Sequence, residues 1–215
     1  MDFSVFRQRI QTIADRMGEI SGEEVEVKVG EPATEEQIAA VEEQVGVKFP
    51  KSFRKVLLEF AADFDMYWDL PNEFELPDEL SGIFSGDPHW DLGQMVRLEE
   101  DRKSRIENCF SNEEDEYDQI WHNKLAFSWV ANGDQFAFDL DGSDDPQVIY
   151  LSHDDGDGHG YRLGTFLEFL DNWSRVAFAG SEDWQWIPFT EDEESGILAE
   201  GEEAKLFREV LGLDL

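Results

Sequence analysis

TEEQIAAVEEQVGVKFPKSFRKVLLEFAADFDMYW, residues 34–68, is the stretch whose reading decides the fold. Thr34 with Gln37 forms a capping-box pattern: the threonine oxygen accepts from an early helical N–H, and the glutamine reaches back to the cap. Glu35 and Glu36 occupy the first turn, where the helix dipole favours negative charge. Ile38, Val41 and Val45 share one face, and Gly46 supplies a stop. Val47 and Phe49 lead to Pro50, which opens a second helix well because its missing N–H is not needed there. Phe53, Val56, Leu57, Phe60 and Phe64 repeat at helical offsets, so the second helix is expected to carry its apolar face to Phe64. The pattern is a pair of short amphipathic helices joined by an apolar elbow.

On the N-terminal side, Phe3, Phe6, Ile10, Ile13 and Met17 follow helical spacing up to Gly18, and Val25, Val27 and Val29 alternate as in a strand. After Trp68 the segment DLPNEFELPDELSGIFSGDPHWDL is rich in acid and aromatics. Its Pro71, Pro77, Pro88, Gly82 and Gly86 exclude long regular elements. GQMVRL reads as a short strand, EEDRKSRIENCF as a helix with Ile106 and Phe110 inward, and SNEEDEYDQ as an acidic loop. LAFSWV and QFAFDL form an antiparallel hairpin through Ala131, Asn132, Gly133 and Asp134. VIYL is a buried strand, and Thr165 caps a helix that aligns Phe166, Phe169, Leu170, Trp173 and Ala177. DWQWIPF reads as extended, and the tail after Thr190 as acidic, then helical with Leu206, Val210 and Leu213 aligned.

A capped acidic helix, a G-V-x-F-P elbow and a helix with an early aromatic together resemble the opening of the SUKH superfamily. KLAFSWVANGDQFAFDLDG, and QVIYLSHDDG followed by RLGTFLEFLDNW, are similar to later parts of that family, so the likeness covers residues 34–173. The chain departs from it where family members often carry an Asn-Gly turn: here it reads AADFDMYW. The superfamily includes fungal cell-wall assembly regulators and bacterial immunity proteins against polymorphic toxins. The resemblance implies a binding module without catalysis.

Charge bounds the partners. Asp and Glu number 51 against 17 Lys and Arg, a net charge of −34 over 215 residues. A folded monomer of this mass exposes on the order of 10,000 Å². Spread evenly, net charges would stand roughly 17 Å apart, beyond the Debye length of about 8 Å. They would then provide mainly solubility, and only clustering would steer a cationic partner. Nucleic acid and anionic membranes, which need basic patches, are disfavoured as direct partners. No apolar run approaches the length of a membrane span, MDFSVFRQRI carries no signal-peptide pattern, and the lone Cys109 excludes an internal disulfide. A bacterial-style cytoplasmic protein, monomeric or weakly dimeric, is expected.

The chemistry-bearing motifs are weak. HDDGDGH, residues 153–159, offers His153 and His159 among aspartates, with only His89 and His122 elsewhere, short of a zinc set. DLDGSDD, residues 139–145, lacks the far glutamate of a calcium loop and reads as a turn. No metal and no cofactor are expected. Lys51, Arg54 and Lys55 read as a solvated helix face. Trp129 and Trp173 are assigned to the core. Trp68 and Trp90, beside Asp69 and Asp91, either anchor a basic partner or cover the sheet.

The fold expected is α+β: a mixed, mostly antiparallel sheet with helices packed mainly on one side. Residues 1–190 form the domain, and 191–215 an acidic helical tail packed on it. The leading function is an immunity protein that binds a cognate, basic toxin such as a nuclease. A regulatory or scaffolding protein is the alternative, and a hydrolase using acidic residues the third reading. The expected partner surface comprises Trp68, Asp69, Glu73, Phe74, Glu75, Asp78, Glu79, Asp87, Trp90 and Asp91.

Overall fold

The computed structural model describes residues 1–215. In chain order the elements are α1 (Phe3–Ser21), β1 (Val27–Val29), α2 (Glu35–Val45), α3 (Lys51–Glu59), β2 (Asp63–Met66), β3 (Trp68–Asp69), β4 (Ser85–Gly86) and β5 (His89–Asp91). There follow α4 (Met95–Asn108), α5 (Glu116–Trp121), β6 (Lys124–Trp129), β7 (Gln135–Asp139), β8 (Val148–Leu151), α6 (Phe166–Arg175), α7 (Asp183–Trp186) and α8 (Glu202–Leu211). The class is α+β. The strands form three small antiparallel sheets, β1-β2-β5, β3-β4 and β6-β7-β8. One buried cluster, running from Phe6 to Leu213, lies between them and the helices. A smaller one, with Phe110 stacked on Trp121, covers the opposite face of β7 and β8 at Ala137, Ile149 and Leu151.

The elbow forms as its sequence dictates. Thr34 Oγ1 accepts from Gln37 N, Gln37 Oε1 accepts from Thr34 N at 2.8 Å, and Gly46 closes α2 at φ +78°. A buried acidic side chain, Glu42, lies at the junction of the helices. Its carboxylate accepts from Phe49 N at 2.9 Å, Lys48 Nζ at 2.7 Å and Arg54 Nη1 at 2.6 Å. Burial alone would raise this carboxyl, but the donors and the Arg54 charge outweigh it and hold Glu42 below its ordinary value. Pro50 precedes α3 and offers no side-chain cap. Asp145, from the DLDGSDD turn, supplies one instead, accepting from Ser52 N at 2.9 Å and Ser52 Oγ at 2.6 Å. Phe53 then meets Phe49, Phe127, Phe138 and Phe166 at the middle of the core.

Several local expectations are corrected. α3 ends at Glu59, and Phe64 lies on β2, opposite Trp90. GQMVRL opens α4 through a short 3-10 turn, because Asp91 caps it by accepting from Gly93 N and because Met95 and Leu98 share the buried face. The acidic loop SNEEDEYDQ contains the start of α5, capped by Asp115. DWQWIPF is helical, not extended. In α8 the buried stripe is Ala204, Phe207 and Leu211, one position from Leu206 and Val210. Trp129 is 45% exposed rather than core. Ala126 pairs with Ala137 and Ser128 with Phe136, so Phe127 is an extra residue that reverses the alternation beyond it.

The core assignment predicts that Phe53→Ala lowers stability by about 3–5 kcal/mol in urea unfolding, and Leu57→Ala by about 2–5 kcal/mol. Glu42→Ala, which strands the Phe49 N–H and one arm of Arg54, is expected to cost about 2–3 kcal/mol. Wild-type urea midpoints for these variants would contradict the packing.

A second prediction concerns pH. His159 Nδ1 accepts from Ser152 N at 3.0 Å, Nε2 donates to Tyr117 O at 3.1 Å, and the ring stacks on Tyr117. Burial pushes the His159 imidazole down, against the opposing effects of the Tyr117 carbonyl, Asp134 and Asp155. The unfolded chain therefore binds the proton first. This contribution to stability is complete above the ordinary value of 6.5 and is lost as pH falls through the folded one. Comparing urea midpoints at pH 7.5 and at a pH below the folded value, the wild type should lose more stability than His159→Gln. Equal losses would show that His159 is not depressed.

Candidate functional site

The segment between β3 and β4 folds into a groove. Leu70 N donates to Phe84 O at 2.7 Å, and Phe84 N and Ser85 N both donate to Gln185 Oε1 at 3.1 Å, which fixes the segment against α7. Gly86 is obligatory below it: a Cβ there would sit 2.2 Å from Trp68 Nε1. The groove encloses about 460 Å³. Leu70 and Ile83 are buried at its base, Phe74 and Leu76 are half-buried, and Glu75 and Asp78 stand exposed in its lining with Phe84, itself 48% exposed.

The structure brings together part of the expected surface. Phe74, Glu75 and Asp78 line the groove; Glu73 and Glu79 are exposed on the same segment, and Asp69 is exposed on β3. Asp87 is half-buried against His89, and Asp91 is occupied in capping the turn before α4. Trp68 and Trp90 are only 1% and 2% exposed. Their indole N–H groups donate to Ala177 O at 2.8 Å and Ala61 O at 3.2 Å, and Trp90 stacks on Phe64. Both cover the sheet, and neither ring presents a surface to a partner.

Apart from Trp129, the exposed aromatics are ones that composition did not single out: Phe84, Tyr67 on the strand connection, and Trp184 beside Gly82. Alternation from buried Trp68 was the available signal, since it turns Tyr67 and Asp69 outward together. Partial burial, with the Asp69 and Asp87 charges nearby, pushes the Tyr67 phenol up and keeps it a neutral donor. Between Lys55 and Arg97 the chain holds ten carboxylates and no lysine or arginine, so nothing of opposite charge within that stretch offsets Glu75 and Asp78.

The other clusters are structural in their geometry. Ligand atoms of Asp134, His153 and Asp154 lie within 4.8 Å of one another. The buried Asp134 carboxylate already accepts from Asn132 Nδ2, Tyr150 Oη, His153 N and His153 Nδ1, so a cation would have to displace these donors. His122 is tied to Phe110 O, and His159 to Ser152 and Tyr117. Burial and neighbouring acids, Asp134 among them, push Glu182 and Asp183 up, although two backbone N–H donors oppose the shift at Asp183. A cavity of about 510 Å³ between α4 and Trp129 has mixed lining charge, Arg97 against Glu100 and Asp101. No helix is long and apolar enough to cross a membrane.

No curated protein and no solved structure matches the chain. Residues 32–172 match the model of the SMI1 / KNR4 family (SUKH-1), a span that holds the elbow, the groove and the β6-β7-β8 sheet but not α1 or β1. Domains of this family are in general non-catalytic binding modules, which supports an immunity or regulatory role. With about two thirds of its length inside that match, the chain belongs to the SMI1 / KNR4 family (SUKH-1).

Proposed function

We propose that the protein is an immunity protein whose groove between β3 and β4 binds a cognate toxin with a basic surface, such as a nuclease, and covers its active site. The observation that carries this reading is the pairing of accessible aromatics with exposed carboxylates that make no ion pair: exposed Phe84 and half-buried Phe74 stand beside Glu75 and Asp78. Carboxylates of this kind accelerate encounter with a cationic partner, and burial of apolar side chains slows release. A lysine or arginine stem lying along Leu70 and Phe84, with its charge on Glu75 or Asp78, would use both properties.

The test is binding to the product of the neighbouring gene, with kinetics at low and high salt. Glu75→Lys with Asp78→Lys should chiefly slow association, by about tenfold or more at low salt, and flatten its salt dependence. Phe84→Ala should chiefly speed dissociation, by about tenfold for a loss near 1.4 kcal/mol. Wild-type kinetics in both variants would move the interface elsewhere. A neighbouring gene that encodes no toxin would favour a regulatory partner instead.

A further inference from the structure

Strand β1 is bonded on one side only. Its neighbour is β2, and the three-stranded sheet ends there. Gly30 N donates to Asp63 O at 2.9 Å, in the same register that places Lys28 opposite Asp65. Antiparallel alternation therefore turns the peptide groups of Lys28 and Gly30 towards β2, and those of Val27 and Val29 towards the open side. No loop or side-chain hydrogen bond reaches the N–H or C=O of either valine. Their spacing, roughly 7 Å for two strand residues, is what an incoming strand requires.

The charge flanking this edge is acidic apart from Lys28, which lies opposite Asp65 on β2. Two adjoining grooves, of about 500 and 480 Å³, run between α1 and the approach to β1 and share Gln11, Glu24 and Val25. Asp15, Glu19, Glu23, Glu24 and Glu26 line them, and no lysine or arginine does. Arg16, the nearest arginine along α1, is drawn off by Glu19 and the Leu211 carbonyl.

We propose that the free edge of β1 receives an extended, cationic segment of a partner protein as an added strand. Backbone groups at Val27 and Val29 would supply the ladder, and the flanking carboxylates would select basic side chains. A second copy of this chain does not fit. Pairing two such edges antiparallel through Val27 and Val29 would set Lys28 directly against its own counterpart, on molecules that each carry −34. The segment lies before residue 32, outside the family match, and the inference is independent of the groove between β3 and β4.

The probe is a short, end-capped peptide of alternating lysine and valine, compared with the same peptide N-methylated at every second residue. Affinity is measured at about 0.15 M salt, where the Debye length is about 8 Å, with amide exchange followed by NMR on the full chain. Val27 and Val29 amides should slow by at least about tenfold when the peptide binds, as expected for newly bonded edge groups. N-methylation should weaken binding by at least about tenfold, since it removes the donors of the ladder. Glu24→Lys with Glu26→Lys, both exposed, should weaken it similarly, while Glu75→Lys with Asp78→Lys should leave the protection at Val27 and Val29 unchanged. Equal binding of the N-methylated peptide, or unchanged exchange at Val27 and Val29, would overturn the proposal and leave the edge charges as a device that only deters pairing. Loss of binding in the Glu75 and Asp78 variant alone would place the peptide in the other groove and overturn it equally.

Discussion

The Glu42 carboxylate ties α2 to the elbow and to α3, and the aromatic core packs around that junction. It is nearly inaccessible, yet it is ionised because three donors converge on it: the Phe49 amide, Lys48 and Arg54. A buried charge with this many partners is strongly directional, whereas apolar packing alone would tolerate a range of elbow angles. The direction matters because Phe53, one turn into α3, must reach Phe138 on β7 and Phe166 on α6 at ring separations of 5.2 and 4.9 Å. Asp145 completes the arrangement by capping α3 from the turn between β7 and β8. The helix pair and the distant sheet are thus locked together by polar contacts at the N-terminus of α3 and by aromatic contacts beneath it.

The groove inherits its shape from the same core. Trp68 and Trp90 are the pegs that hold β3 and β5 down, each with its indole N–H on a backbone carbonyl. With those rings buried, the intervening residues are pushed outward as a loop whose apolar side chains only partly find cover, and Phe84 is left at the surface. A half-apolar, acidic surface of this kind suits recognition of a partner. It offers both area and charge to a partner.

Much of this was legible in the sequence where local rules and tertiary packing agree. The capping box at Thr34, the stop at Gly46, the hairpin through Asn132 and Gly133 and the Thr165 helix start appear as read, because each is decided by residues within a few positions. Glu168 accepts from both the backbone N–H and the hydroxyl of Thr165, which is the local signal in physical form. The misreadings share a cause that no short window contains. Trp129 is exposed because a bulge at Phe127 shifts the alternation, and Arg54, read as part of a solvated helix face, is drawn onto the buried Glu42. In the candidate site, Phe74, Glu75 and Asp78 were legible from composition. Phe84 and Tyr67 were not, since their exposure depends on which neighbours the sheet buries.

The net charge of −34 acquires a role only through its placement. On α4, Glu99 and Arg102 neutralise one another in a buried pair; in the groove, Glu75 and Asp78 make no ion pair. Hydrogen–deuterium exchange of the chain alone and with its co-expressed partner would test the central claim most directly. The account predicts protection concentrated in residues 69–87, with α4 and α8 unchanged. Protection confined to α4 or α8, with residues 69–87 exchanging as in the free protein, would contradict it.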